Sequence, residues 1–421
     1  MNITLTNPVF VDTVEVPTSK SAAHRALIAA SFCGAPTTIY IADAGDDIQA
    51  TVRCLRAIGV GIEDAENGTA LRVTPTQNFI DNATADCGES GSTLRFLIPV
   101  VAALGLTVHF LRRGRLPHRP LEPLATELVS HGVTLCEEAD GALCVSGQLT
   151  PGKYSIAANV SSQFITGLLF GLSLLHHPST LLLTGEVESA PYINMTLSTL
   201  AAFKAAPICV ANAKLFGVPG CLAQPFRSPG SVSPEGDFSA AAFPLCAGAI
   251  GKNPVTVKGI HPASSQGDAA ILRLLDSFGA KIDVELEKRT VTVFPSELHG
   301  IQIDASQIPD LVPVLAVAAA AAQGETVITG ASRLRLKESD RIATTAAMLR
   351  ALGADVTELP DGLSIRGGNP LHGGCVEGAN DHRIVMSAAV AALLCDSPVT
   401  ITDAQAVKKS FPSFFETALH C

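Results

Sequence analysis

The segment "RLRLKESDRI" (residues 333–342) places four cationic side chains within ten residues, in a chain of formal net charge -10. If the segment is one helix, Lys337 and Arg341 share a face, where like charges repel by a few tenths of a kcal/mol. A bound anion relieves that repulsion; so do Glu338 and Asp340 if the segment is only a solvated face. Other basic residues stand where helices should begin: Lys20 and Arg25 in "PTSKSAAHRALI", Arg95 in "ESGSTLRFL", Arg115 and Arg119 in "RRGRLPHRPL", and Lys409 in "VKKSF". Helix N-termini attract anions through free N–H groups and the helix dipole, so added cations make a phosphate or carboxylate seat. "NVSSQFITGLL" sets Ser161, Ser162 and Gln163 before an apolar helical run, a donor set suited to a phosphorylated polyol, and "SAPYINMTL" adds Ser189 and Tyr192. Two acidic sites accompany the cations. Asp310 stands at the start of the very apolar run "LVPVLAVAAAAA", as an N-cap would, and Glu338 lies between Lys337 and Arg341. Asp381, His382 and Arg383 precede another apolar helix. A carboxylate held among cations is suited to proton transfer.

These residues need a scaffold, and the chain repeats one. "LRAIGVGI", "LVSHGVTL", "LAAFKAAPICV", "LLDSFGAKIDV" and "MLRALGADVTEL" each read as a helix end, a turn and a β-rich run. Their turn residues, Gly59, Gly132, Ala205, Gly279 and Gly353, are spaced 73, 73, 74 and 74 apart. That interval exceeds the roughly 20–50 residues of common solenoids, so each repeat is a small folded subdomain. A sixth turn would fall beyond residue 421, while "MNITLTNPVF" alternates like a strand. The N-terminus is therefore expected to cross over and complete the sixth repeat. The Pro/Gly/Ser-rich "FRSPGSVSPEG" lies at the midpoint, where a linker belongs. The expected division is residues 19–230 for the N-terminal domain and 1–18 plus 231–421 for the C-terminal one. Two strands at such a crossing suggest a clamp that closes.

Composition narrows the function. With 421 residues and 47% hydrophobic content, the chain supports two or three domains with large cores. Its longest apolar run is shorter than the roughly 20 residues of a membrane span, and no signal or transit peptide is visible, so a cytoplasmic protein is expected. The eleven cysteines show neither a disulfide framework nor zinc-motif spacing, and reduced, mostly buried thiols are expected. A pI near 5.6 argues against a general nucleic-acid surface.

Ten ordered segments, "SKSAAHRAL", "ESGSTLR", "RLPHRPL", "SSQF", "PYINMTL", "EGDFSAAAF", "IPDLVPVLA", "LRLKESDRI", "NDHRIVMSAAVAAL" and "KSFPSFFE", resemble the enolpyruvyl transferase family over nearly the whole chain. The likeness is to the members that act on 3-phosphoshikimate. It implies an α/β, two-domain fold of six βαβαββ units, three per domain, of the inside-out α/β barrel type. It also implies transfer of the enolpyruvyl group of phosphoenolpyruvate to the 5-hydroxyl of 3-phosphoshikimate, with release of phosphate and no metal or organic cofactor. Residue by residue, the resemblance gives Lys20, Ser21, Arg25, Ser161, Ser162, Gln163, Ser189, Tyr192, Asp310 and Lys337 to 3-phosphoshikimate. It gives Lys20, Gly91, Arg115, Gln163, Arg341, Arg383, Lys409 and Lys337 to phosphoenolpyruvate, and the catalytic proton transfers to Asp310, Glu338, Lys20 and His382. The implied partners are these small molecules, with no nucleic acid, no membrane and a monomeric chain. Glu89, Phe96, Arg333 and His24 depart from the family's commonest residues. The sister activity on a UDP-linked amino sugar is the nearest alternative, but its active-site loop carries a cysteine and "RRGRLPHRPL" has none. A non-catalytic anion-binding clamp is the other reading.

Overall fold

The computed structural model describes residues 1–139, 141–205, 208–221 and 225–420. They form two compact units, residues 20–234 and residues 1–19 with 235–421.

Each repeat is built on one pattern. In the second, the strand Ala83–Asp86 leads through the helix Gly91–Ala103 to the parallel strand Val108–Leu111. The helix Leu124–Ser130 and an antiparallel hairpin of Val133–Glu137 with Leu143–Gly147 follow. The third repeat (Lys153–Ala157 to Leu215–Val218) and the fifth (Gln302–Asp304 to Gly362–Gly367) keep the same strand order. The other three borrow strands from distant parts of the chain. Ser231–Val232 pairs in parallel with the first repeat's Thr37–Tyr40, so the passage into the second unit comes at Glu235 rather than at residue 231. Thr13–Glu15 supplies the opening strand of the fourth repeat by pairing with Val255–Lys258. Ile3–Leu5 lies antiparallel to Val399–Ile401 in the sixth repeat, and Val9–Phe10 pairs with Leu419–His420.

The layering follows from hydrophobic patterning. The strands alternate buried and exposed residues, with Val108 and Phe110 buried and His109 turned outward. Such alternation marks a sheet covered on one face. The crossover helices are instead apolar all round, as "VPVLAVAAAA" in Val312–Ala321 shows, and a helix of that kind belongs inside a core. Gly91–Ala103 and Ser162–Leu174 pack together in one unit; Phe238–Ile250, Val312–Ala321 and His382–Ala391 do so in the other. A Cβ at Gly167 would fall 2.3 Å from the Arg95 carbonyl, so the first pair needs glycine to approach so closely. Helices inside and sheets outside make each unit an inside-out α/β arrangement.

Two local readings change. Gly59, Gly132, Gly279 and Gly353 take left-handed φ of 100, 93, 97 and 89°, as helix-ending glycines do. In the third repeat that residue is Lys204 (φ 50°) rather than Ala205, and residues 206 and 207 of the same window lie outside the described ones. Of the nine cysteines described as free, Cys33, Cys54, Cys87 and Cys246 are buried, while Cys136 and Cys375 are exposed because they sit on outward strand positions. Cys421 and the side chain of Cys209 lie outside the description. Among the described residues no helix is long and apolar enough to cross a membrane.

Candidate active site

In the unit of residues 20–234, helix starts carry the polar groups. Lys20 opens the helix Lys20–Ser31, and its Nζ donates to Asp47 Oδ2 at 2.8 Å. Arg25, one turn on, is 2% exposed. It donates to Thr196 Oγ1 (2.9 Å), Thr166 Oγ1 (3.2 Å) and the carbonyls of Ser21 (2.6 Å) and Tyr192 (2.9 Å). All these partners are neutral, and among the described residues no carboxylate pairs with it. Burial lowers the Arg25 pKa to about 10, Tyr192 opposing, so the group stays cationic at neutral pH. A buried charge without a counter-charge is costly, and an anionic ligand offsets that cost.

Ser161 caps the helix Ser162–Leu174, accepting from Gln163 N at 3.3 Å. The Gln163 amide is fixed at both ends, Oε1 accepting from Arg95 Nη1 (2.7 Å) and Nε2 donating to Ser92 Oγ (2.9 Å). Ser189 is buried and left-handed (φ 54°) just before the helix Ala190–Ala202, and its carbonyl accepts from Tyr192 N at 3.1 Å. A non-glycine residue held there stores of order 1 kcal/mol, a strain that clusters at ligand sites. Gly91 begins its helix with Arg119 alongside: a Cβ at position 91 would meet Arg119 Nη1 at 2.7 Å. Arg115, which the resemblance assigned to phosphoenolpyruvate, is exposed at the head of the short turn Leu116–His118, whereas Arg119 is 7% exposed.

The family departures have local explanations. His24 and Phe96 face each other edge-on at 6.3 Å, Phe96 also lies 5.1 Å from the Arg25 guanidinium, and His24 Nδ1 contacts Thr51 Oγ1 at 2.7 Å. Burial, then Lys20 and Arg25, lower the His24 pKa well below the ordinary value, so the ring is neutral. The Glu89 carboxyl lies against Gly114, and Arg333 donates to the Ser306 carbonyl at 2.8 Å.

In the other unit one guanidinium organises the site. Arg341, 2% exposed, donates through Nε to Asp381 Oδ2 (2.8 Å), through Nη1 to Asp310 Oδ1 (2.8 Å) and through Nη2 to Glu338 Oε2 (2.7 Å). Burial disfavours its charge, but Asp381, Glu338 and Asp310 prevail and raise its pKa. Asp310 is also reached by Arg383 Nη2 (3.3 Å) and Lys337 Nζ (3.9 Å). Burial would raise the Asp310 pKa, yet Arg383, Lys337 and Arg341 together hold it well below the usual carboxylate range. Asp381 caps the helix His382–Ala391 by accepting from Arg383 N (3.0 Å), and His382 Nδ1 is 3.8 Å from its Oδ1. Lys409 Nζ donates to the carbonyl of Asn380, itself left-handed, at 2.5 Å.

Lys337 and Arg341 do not share a helix face. Ser332–Leu336 is a 3-10 turn, and the helix begins at Arg341 with Asp340 capping through Ala343 N (3.1 Å). Breaking the helix between them lets both cations reach Asp310. Asp310 is likewise no N-cap: it sits in the 3-10 turn Pro309–Leu311, which frees its carboxylate for three cations.

The sequence reading left Asp268 unnoticed. It is 2% exposed, Oδ2 accepts from Ser239 Oγ, and Oδ1 has no hydrogen-bond partner among the described residues. Burial first and then Asp310 push its pKa up to about 7, against Arg383 and the Ser239 bond. "SQGDAA" offers no cue of spacing or composition that marks a buried acid. Asp47 and Asp381 were missed as partners for a simpler reason, since both pairings span distant segments.

The architecture is that of the enolpyruvyl transferases. Its structural neighbours include EPSP synthase from Acinetobacter baumannii (TM-score 0.80, 24% identity, covering 100% of this chain and 99% of that one). Another is the enolpyruvyl transferase NikO from Streptomyces tendae (TM-score 0.78, 19% identity, 100% and 98% covered). The family model described as EPSP synthase (3-phosphoshikimate 1-carboxyvinyltransferase) matches residues 9–418. Curated relatives named 3-phosphoshikimate 1-carboxyvinyltransferase include those of Clostridium novyi, 40% identical over 96% of this chain and 93% of the relative, and Halobacterium salinarum, 39% identical over 95% and 94%. The chain belongs to the EPSP synthase family.

Proposed function

We propose that the chain moves the enolpyruvyl group of phosphoenolpyruvate onto the 5-hydroxyl of 3-phosphoshikimate, giving 5-enolpyruvylshikimate 3-phosphate and phosphate in the route to chorismate and aromatic amino acids. The observation that carries the residue assignment is the pairing of a cation-bound carboxylate, Asp310, with a second carboxylate, Glu338, on the same guanidinium. Addition needs a proton delivered to the methylene carbon and one removed from the attacking hydroxyl; elimination takes a proton back from the new methyl group as the phosphate C–O bond breaks. Glu338 serves the carbon and Asp310 the hydroxyl, with Lys20 and His382 taking part in the proton traffic. A carboxylate held as low as Asp310 is a weak base. Binding of the phosphoenolpyruvate trianion, helped by Lys409, engages Arg383 and Lys337, loosens the hold of those two on Asp310 and raises its basicity when the hydroxyl arrives. Arg341 orients both carboxylates while Asp381 fixes it from behind. Arg25 seats the anionic substrate that its neutral surroundings leave room for, 3-phosphoshikimate, together with Ser161, Ser162, Gln163, Ser189, Tyr192, Ser21 and Lys20. Gly91 and Arg115 complete the phosphoenolpyruvate contacts, with Arg119 packed beside Gly91.

This reading takes residues 20–234 and residues 1–19 with 235–421 as two domains. It places the chain in the cytoplasm as a monomer, and the reaction so written needs neither metal nor organic cofactor. A phosphate-release assay with phosphoenolpyruvate and either 3-phosphoshikimate or a UDP-linked amino sugar tests it. Release with 3-phosphoshikimate alone is expected; release only with the UDP-sugar, or binding of both anions without release, rejects it.

A further inference from the structure

The second repeat carries a cluster that the transfer reaction does not use. Strand alternation turns His109 and Cys144 to the outer face, and register sets Cys144 directly opposite His109 on one side and Cys136 on the other. Glu138, just past the end of its strand, brings both carboxylate oxygens to His109 Nδ1, at 2.9 and 3.0 Å. One ligand atom from each of His109, Glu138 and Cys144 lies within 4.8 Å of the others.

We propose that His109, Glu138 and Cys144 form a binding site for a thiophilic divalent cation of the Zn²⁺ class, with water in the fourth position. An imidazole, a carboxylate and a thiolate are the donors that zinc takes in tetrahedral sites, and three protein ligands leave one position open. The ring of His109 is already oriented for ligation. Its Nε2 stands 2.9 Å from Asn82 Oδ1 and its Nδ1 faces the Glu138 carboxylate, where a dication entering between them would take the place of the Nδ1 proton. Metal-bound histidines are held in this way by a carbonyl or carboxylate behind them. Arg112, just past the end of the strand Val108–Leu111, is committed to Glu137 and the Gly141 carbonyl. No sequence motif announces the site, because strand register and not loop spacing brings the donors together.

The test is titration of the full-length, chelator-treated protein with Co²⁺, which reports thiolate ligation by a near-ultraviolet charge-transfer band, followed by displacement with Zn²⁺. One equivalent of Co²⁺ should produce the band and Zn²⁺ should abolish it. Cys144→Ser should remove it. Asn82→Leu, which touches no metal, should weaken affinity by about 10- to 100-fold. Cys136→Ser, on the same face but outside the triad, should leave the band intact. Phosphate-release activity should be unchanged in all three variants, showing that they fold. Absence of a thiolate band at one equivalent, its survival in Cys144→Ser, or equal loss in Cys136→Ser would each overturn the assignment.

Discussion

Glu338 and Asp310 share the Arg341 guanidinium yet differ in charge environment: Arg383 and Lys337 also act on Asp310. Positioned acid–base groups contribute about 10²- to 10⁴-fold in rate. Glu338→Gln and Asp310→Asn are therefore expected to lower kcat by that order with modest change in KM, and only Glu338→Gln should slow solvent-deuterium exchange into the phosphoenolpyruvate methylene group. Exchange at the wild-type rate in that variant would move the role to another residue. Arg341→Ala strips three carboxylates, one fully buried, of their shared counter-charge, so it should lower Tm as well as activity. Asp268 gives a pH signature. With its pKa pushed up to about 7, the folded state keeps a proton that the unfolded chain releases near pH 4. Stability from this group falls as pH rises through that window and levels off above about 7. Asp268→Asn removes the penalty, so its Tm should exceed wild type at pH 8 and converge with it near pH 4; parallel Tm profiles would refute the burial argument. Lys20, Arg25 and Arg383 were legible in the sequence as cations at helix starts. Arg119 was visible in the same loop as Arg115, but only the fold shows which of the two turns inward.

Among the elements, the N-terminal strands test the strand-exchange argument most directly. Ile3–Leu5 closes the sheet of Gly374–Val376 and Val399–Ile401, and Val9–Phe10 covers the C-terminal Leu419–His420. Leu5 and Phe10 are buried, at 1% and 3% exposure. Deleting residues 2–10 should expose this core and lower the Tm of the unit formed by residues 1–19 and 235–421; an unchanged Tm would mean the strands add nothing. The repeat was readable because a helix-ending glycine recurs at a fixed interval, and it blurred where Lys204 takes the left-handed turn at a higher backbone cost. The helix expected through Lys337 was misread because periodicity cannot see the 3-10 turn that ends at Leu336.

At the scale of the whole molecule, a chain of net charge -10 concentrates its buried Lys and Arg side chains in two groups, Arg25, Arg95 and Arg119 in one unit and Arg341, Arg383 and Lys409 in the other. Attraction of a phosphoenolpyruvate trianion against that background is electrostatic, and salt screens it over a Debye length of about 8 Å at 0.15 M. KM for phosphoenolpyruvate should rise with ionic strength while kcat changes little; an unchanged KM would show that the cations act only through direct contact. The sequence by itself determined the repeat, its count and the strand borrowed from the N-terminus, because local patterning suffices for these. Only the tertiary structure decided that Asp381, Asp310 and Glu338 converge on Arg341, that Asp268 is a buried acid, that Phe96 packs on His24, and that His109, Glu138 and Cys144 converge. Those facts depend on strand register and on burial among segments far apart in the chain, which no single-sequence spacing encodes.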